Sequence, residues 1–143
     1  MENKDINRFV IMCIEQYAKY KNISSKDAYL IMSKNNIINK LIDNYEDLHG
    51  MSTEYLNDYI SSLVKNHCSY KETKLSQHTL ATTIIITKVI ELIVESQNIS
   101  LDKARDALYH SEIIDLLDDD ETGLYGESPL YVFSLFLKYT QHI

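Results

Sequence analysis

The chain has no tryptophan, one proline, three glycines and two cysteines among its 143 residues. So few turn formers leave little for the tight hairpins of an all-β chain and point to helices joined by short polar loops. Cys13 and Cys68 stand in unrelated contexts. Cys13 falls on an apolar helix face, and a reduced, cytoplasmic protein is the simpler expectation. No run reaches the roughly 18 uninterrupted apolar residues of a membrane span. The opening "MENKDINRF" lacks the basic-then-apolar signature of a secretion leader. Glycine-rich phosphate loops and G-x-S-x-G elbows are absent, and none of His49, His67, His78, His110 and His142 has a second histidine four positions away, as a helical zinc pair would. The expectation is therefore a protein without enzymatic activity, metal or cofactor.

The net charge is −7, and it is not evenly spread. Residues 1–71 carry nine Lys/Arg against nine Asp/Glu, whereas residues 72–143 carry five against twelve. An acidic second half argues against binding a phosphate backbone, which needs clustered cations. A protein partner with a basic surface, or simple solubility, fits it better.

What the chain does have is a repeat. Shifted by 76 positions, it matches itself without a gap at fourteen positions, including Ile14/Ile90, Glu15/Glu91, Asn22/Asn98, Ser24/Ser100, Ala28/Ala104, Leu41/Leu117, Asp43/Asp119, Gly50/Gly126, Ser52/Ser128 and Tyr55/Tyr131. The apolar spacing agrees with that register. Ile6, Phe9, Val10, Cys13, Ile14 and Tyr17 follow the i, i+3, i+4, i+7 rhythm of an amphipathic helix. Their counterparts Ile85, Ile86, Val89, Ile90 and Ile93 make "ATTIIITKVIELIV" a helix too, although its β-branched residues suggest a strand. A second helix starts after Ser24 or Ser100, good N-caps, and turns Ala28, Ile31 and Met32, or Ala104, Ala107 and Leu108, inward. A third carries Ile37, Ile38 and Leu41, or Ile113, Ile114 and Leu117. The last follows Ser52 or Ser128, with Pro129 suited to its first position; its buried side is expected to hold Tyr55, Leu56, Tyr59 and Ile60, or Tyr131, Val132, Leu135 and Phe136. Gly50 and Gly126 are expected to supply a positive φ before it.

The fold class predicted is all-α, with two tandem four-helix repeats (residues 1–66 and 78–143) packed as one helical domain about a pseudo-twofold axis. A polar linker, residues 67–77, joins them. Each unit of about sixty residues is too small to be more than marginally stable alone.

With the helices placed, Ser24–Ala28 ("S-x-x-D-A"), Tyr45–His49 ("YEDLH") and Tyr55–Ile60 carry a likeness. Over roughly residues 8–63 the chain resembles the short bacterial family catalogued as domain of unknown function 3791. The second half departs from that pattern, with Tyr125 where His49 stands. The resemblance implies a small helical protein without assigned chemistry. It also implies a neutralising or adaptor role, because members are often encoded beside ADP-ribosyltransferase-like toxins.

One stretch, "DLLDDDETGLYGESP", asks for a separate account. As a calcium loop starting at Asp118 it places oxygens at Asp118, Asp120 and Thr122 and a glycine at Gly123, but its twelfth position is Pro129, which offers no side-chain ligand. Carboxylates at a helix C-terminus oppose the helix dipole and should stop the helix near Leu117. The acids are then either a solvated loop or a docking surface, and replacing Asp118–Glu121 by serine is expected to leave the fold intact. Large amphipathic side chains on the loops before Gly50 and Gly126 are interface anchors or buried tyrosines. The candidate partner-binding residues are Tyr45, Glu46, His49, Asp118, Asp119, Asp120, Glu121 and Tyr125. The expected function is a protein-binding module, an antitoxin-like inhibitor of an ADP-ribosyltransferase-like toxin. The alternative is a self-associating structural or adaptor homodimer.

Overall fold

The computed structural model describes residues 3–64 and 77–140, and among them every regular element is helical. The first half runs α1 (Lys4–Lys21), α2 (Ser25–Lys34), α3 (Ile37–Asp43), the single turn α4 (Tyr45–Leu48) and α5 (Thr53–Leu63). The second runs α6 (Gln77–Gln97), α7 (Leu101–Tyr109), α8 (Glu112–Asp118), two 3-10 turns at Asp120–Thr122 and Leu124–Gly126, and α9 (Pro129–Thr140). The expected linker 67–77 lies outside the described residues apart from Gln77, as do His67, Cys68 and His142. No helix among the described residues is long and apolar enough to cross a membrane.

Two long helices, α1 and α6, pack on each other at the centre, with α2, α3 and α5 laid against α1 and α7 and α9 against α6. Their composition explains that position. Helix α1 buries Phe9, Val10, Ile11, Cys13, Ile14, Tyr17 and Ala18, leaving only a narrow exposed stripe through Asp5, Arg8 and Lys19. Each large apolar side chain taken from water contributes about 1.5–3 kcal/mol. Helix α6 is the β-branched run, and it is helical because Ile85, Ile86, Val89, Ile90 and Ile93 recur at helical spacing on the core side. Its buried Thr87 satisfies its hydroxyl by donating to the Thr83 carbonyl at 2.8 Å.

Helix ends follow the sequence signals. Ser24 and Ser100 each accept from the amide three residues on (Asp27 and Lys103), and Ser52 and Ser128 do the same for Tyr55 and Tyr131. Asn22 and Asn98 stop α1 and α6 in the left-handed conformation, at φ 56° and 53°, which asparagine tolerates better than most residues.

Three expectations are corrected. Gly50 and Gly126 do not take a positive φ; Gly123 does, at 64°, entering the Leu124–Gly126 turn. In the first half the chain descends through α4 with His49 still right-handed, so no glycine is needed there. Tyr55 and Tyr131 are not in the core but 49% and 48% exposed. The buried stripe of α5 runs through Leu56, Asn57, Ile60 and Ser61, and that of α9 through Val132 and Phe136, so both tyrosines sit about 100° round the helix from it. Ala107 likewise faces outward, while its neighbours Arg105 and Tyr109 are fully buried.

Candidate functional site

The first group of candidate residues forms a small aromatic platform. The sequence Tyr45-Glu46-Asp47-Leu48 makes one helical turn, with Leu48 buried as its anchor. Tyr45 is half-buried and meets Phe9 of α1 edge-on, with ring centres 5.4 Å apart at 78°. His49 stacks on the other side of Tyr45, centres 4.6 Å apart at 17°. The His49 Nδ1 lies 2.9 Å from the Tyr45 carbonyl. A carbonyl only accepts, so Nδ1 carries a proton on this exposed ring. Phe9, Met12, Tyr45 and His49 line an open hollow of about 190 Å³, rimmed by Asp5 and Arg8. Glu46 and Asp47 are exposed beside it.

The second group is not the free acidic loop that the sequence suggests. Asp118 turns inward, accepting from the Ser25 amide and lying within 2.7 Å of the Ser25 hydroxyl. Asp119 accepts from the Glu121 amide at 3.0 Å. Thr122 ties the loop to α8 by donating to the Leu116 carbonyl at 2.7 Å, and Leu124 donates to the Thr122 hydroxyl. Glu121 is exposed and Tyr125 half-buried; the carboxylate expected at Asp120 lies outside the described residues. The structure thus brings Tyr45 and His49 together, and draws Asp118 to a residue of the first half instead.

A third cluster escaped sequence reasoning. Glu15 of α1 is 4% exposed. One of its oxygens lies 2.7 Å from the Ser25 hydroxyl, and the other accepts from Tyr109 at 2.9 Å. Tyr109 stacks flat on Tyr29, centres 4.6 Å apart, and Tyr29 donates to Asp106. Beside them the fully buried Arg105 donates to Asn7 and pairs with Asp102 at 3.7 Å. Burial pushes the Glu15 carboxyl up to about 7, with the Asp118 charge adding to the shift. Bonds from Ser25 and Tyr109 and the charge of Lys19 oppose it. Burial also raises the phenols of Tyr109 and Tyr29, which in addition face Glu15 and Asp106 respectively. A carboxyl titrating near neutrality is often an acid or base in a cleft, but this one is buried. A signal existed in the sequence: a glutamate placed among the apolar Ile11, Ile14 and Ala18 of one helix side, with Glu91 standing 76 positions on.

Cys13 is buried, and burial raises its thiol far above the range of a reactive cysteine. Among the described residues, no group of three or more His, Cys, Asp or Glu is placed to hold a metal ion.

Residues 8–67 match the model of a family described as a protein of unknown function (DUF3791). The match takes in Ser24–Ala28, Tyr45–His49 and Tyr55–Ile60, and with them the whole aromatic platform. Neither the curated proteins nor the solved structures hold a match to the chain.

Proposed function

We propose that the chain is a non-enzymatic protein-binding module, an antitoxin-like inhibitor that occludes an ADP-ribosyltransferase-like toxin in the cytoplasm. The observation that carries this is the Tyr45–His49 stack seated on Phe9. It is an aromatic surface flanked by the exposed acids Glu46 and Asp47. Aromatic groups held rigid in a shallow hollow are the side chains that dominate protein interfaces, and the net charge of −7 suits a basic partner. The family resemblance of the first half supplies the kind of partner.

The module is a duplicated four-helix unit closed about a pseudo-twofold axis. Supporting this, the last residues of α1 and α6 stand 76 positions apart, as do the left-handed Asn22 and Asn98 and the two pairs of capping serines. Lys26 of α2 pairs with Asp115 of α8 at 2.9 Å, and the shifted positions, Asp102 and Asn39, face one cleft of about 210 Å³.

Co-expression with an ADP-ribosyltransferase-like toxin, followed by gel filtration, tests the function. A co-eluting complex with suppressed transferase activity is expected; separate elution with full activity would refute it. The second reading, a homodimer, rests on the exposed Leu80, Ile84 and Leu130 of the second half, 50%, 59% and 67% accessible. Light scattering decides it: a strict monomer excludes that reading.

A further inference from the structure

The hydroxyl of Ser25 poses a proton-counting problem. It lies 2.7 Å from Glu15 Oε1 and also 2.7 Å from Asp118 Oδ1. That is the length of a made O–H···O bond, but a serine hydroxyl has one proton and can donate only once. With both carboxyls ionised, one of these contacts would press two oxygens together with no hydrogen between them. A proton on one carboxyl gives each contact its own hydrogen. Asp118 is half-exposed and already receives the Ser25 amide on its other oxygen. Glu15 is enclosed, and its other oxygen accepts from Tyr109.

We propose that Glu15 is the neutral acid in the folded chain, and that the relay Glu15 Oε1–H to Ser25 Oγ–H to Asp118 Oδ1 is a pH-sensitive lock between the two halves. It ties α1 and α2 to α8, while Tyr109 of α7 closes it from the far side. Every proton in the cluster then has one donor and one acceptor. Loss of the Glu15 proton leaves two anions facing each other across a single hydroxyl. Ser25 can then satisfy only one of them, and the α2–α8 contact weakens.

The surroundings make the group sensitive rather than fixed. Lys19 on α1 favours the anion, and Asp118 on α8 disfavours it. Around Tyr109 lie Arg105 on the same helix and Tyr29 on α2. Lys26 and Asp115, at the same junction, neutralise each other. The other helices against α1 carry their charges outward: Lys40 and Asp43 on α3, Glu54 and Asp58 on α5, Lys88 and Glu95 on α6, while Glu91 pairs with Lys4. With burial dominating, the Glu15 carboxyl titrates near 7, so the lock is poised at physiological pH.

Glu15→Gln is the decisive variant, because its amide NH₂ reproduces the donor to Ser25 and its carbonyl the acceptor for Tyr109 without titrating. Urea unfolding of wild type and Glu15→Gln is compared from about pH 5 to about pH 8. The unfolding constant of the wild type should rise by roughly 70-fold relative to that of the variant over this range. Parallel curves would overturn the proposal. In the wild-type chain, the Glu15 carboxyl-carbon NMR signal provides a second measure that does not depend on the variant folding. A midpoint near neutrality supports the lock, and one at an ordinary carboxylate pH refutes it.

Discussion

The backbone amide of Ser25 donates to the carboxylate of Asp118 at 2.7 Å across 93 positions of chain. Ser25 is the first residue of α2, and its amide is one of the donors that a helix start leaves without a partner inside the helix. Ser24 satisfies the Asp27 amide, and Asp118 brings a negative charge from the second half to the positive end of the helix.

Asp118→Ala should accordingly destabilise the chain by about 1–3 kcal/mol, since it strands the Ser25 amide at a part-buried junction. Glu121→Ser, in the same acidic run but exposed, should change stability by no more than about 0.5 kcal/mol. Urea midpoints of the two variants check this. The acidic run is therefore not uniform, and the expectation that all four acids can be removed without cost fails at its first member.

The sign of the pH dependence at Glu15 is fixed by the direction of its shift. A carboxyl raised from 4.5 to about 7 binds its proton more tightly folded than unfolded. Its stabilising contribution is full below pH 4.5, falls as pH rises, and is gone above about 7. Between about pH 5 and 8 the loss is roughly 2–3 kcal/mol. Tyr109→Phe should move the Glu15 midpoint further up, because the bond from Tyr109 favours the anion. A downward move in the carboxyl-carbon titration would contradict this.

The β-branched run of α6 offers a matched pair. Ile90→Ala empties a fully buried position and should cost about 2–5 kcal/mol. Ile84→Ala, at 59% exposure on the opposite side, should stay within about 0.5 kcal/mol of the wild type. Thermal denaturation of both distinguishes a helix with one buried side from a strand, in which residues 84 and 90, an even number apart, share a face.

The contrast between Ile84 and Ile90 also shows what was legible in the sequence. Helix existence and register follow from local spacing and capping serines, and the sequence's match to itself at a shift of 76 positions adds to the signal. So the α6 run could be assigned against its β propensity, and Ser24, Ser100, Ser52 and Ser128 all cap as expected. Features fixed by distant partners were not legible. Glu15 meets Tyr109 from 94 positions away, and Asp118 turns inward only because α2 begins beside it. Tyr55 and Tyr131 fell on the wrong side because an apolar stripe in a short helix can be drawn one residue early, which swings a ring out to solvent. In the candidate site, Tyr45 and His49 were found from their place on the loop, but their stacking on Phe9 was not.

The proposed binding is tested most directly by titration calorimetry of the full chain against a purified ADP-ribosyltransferase-like toxin, with the wild type and His49→Ala run side by side. His49 is exposed, so its removal should leave the fold in place. The account predicts stoichiometric binding by the wild type, weakened about tenfold or more in His49→Ala. Equal affinity of the two proteins, or no binding by either, would contradict it.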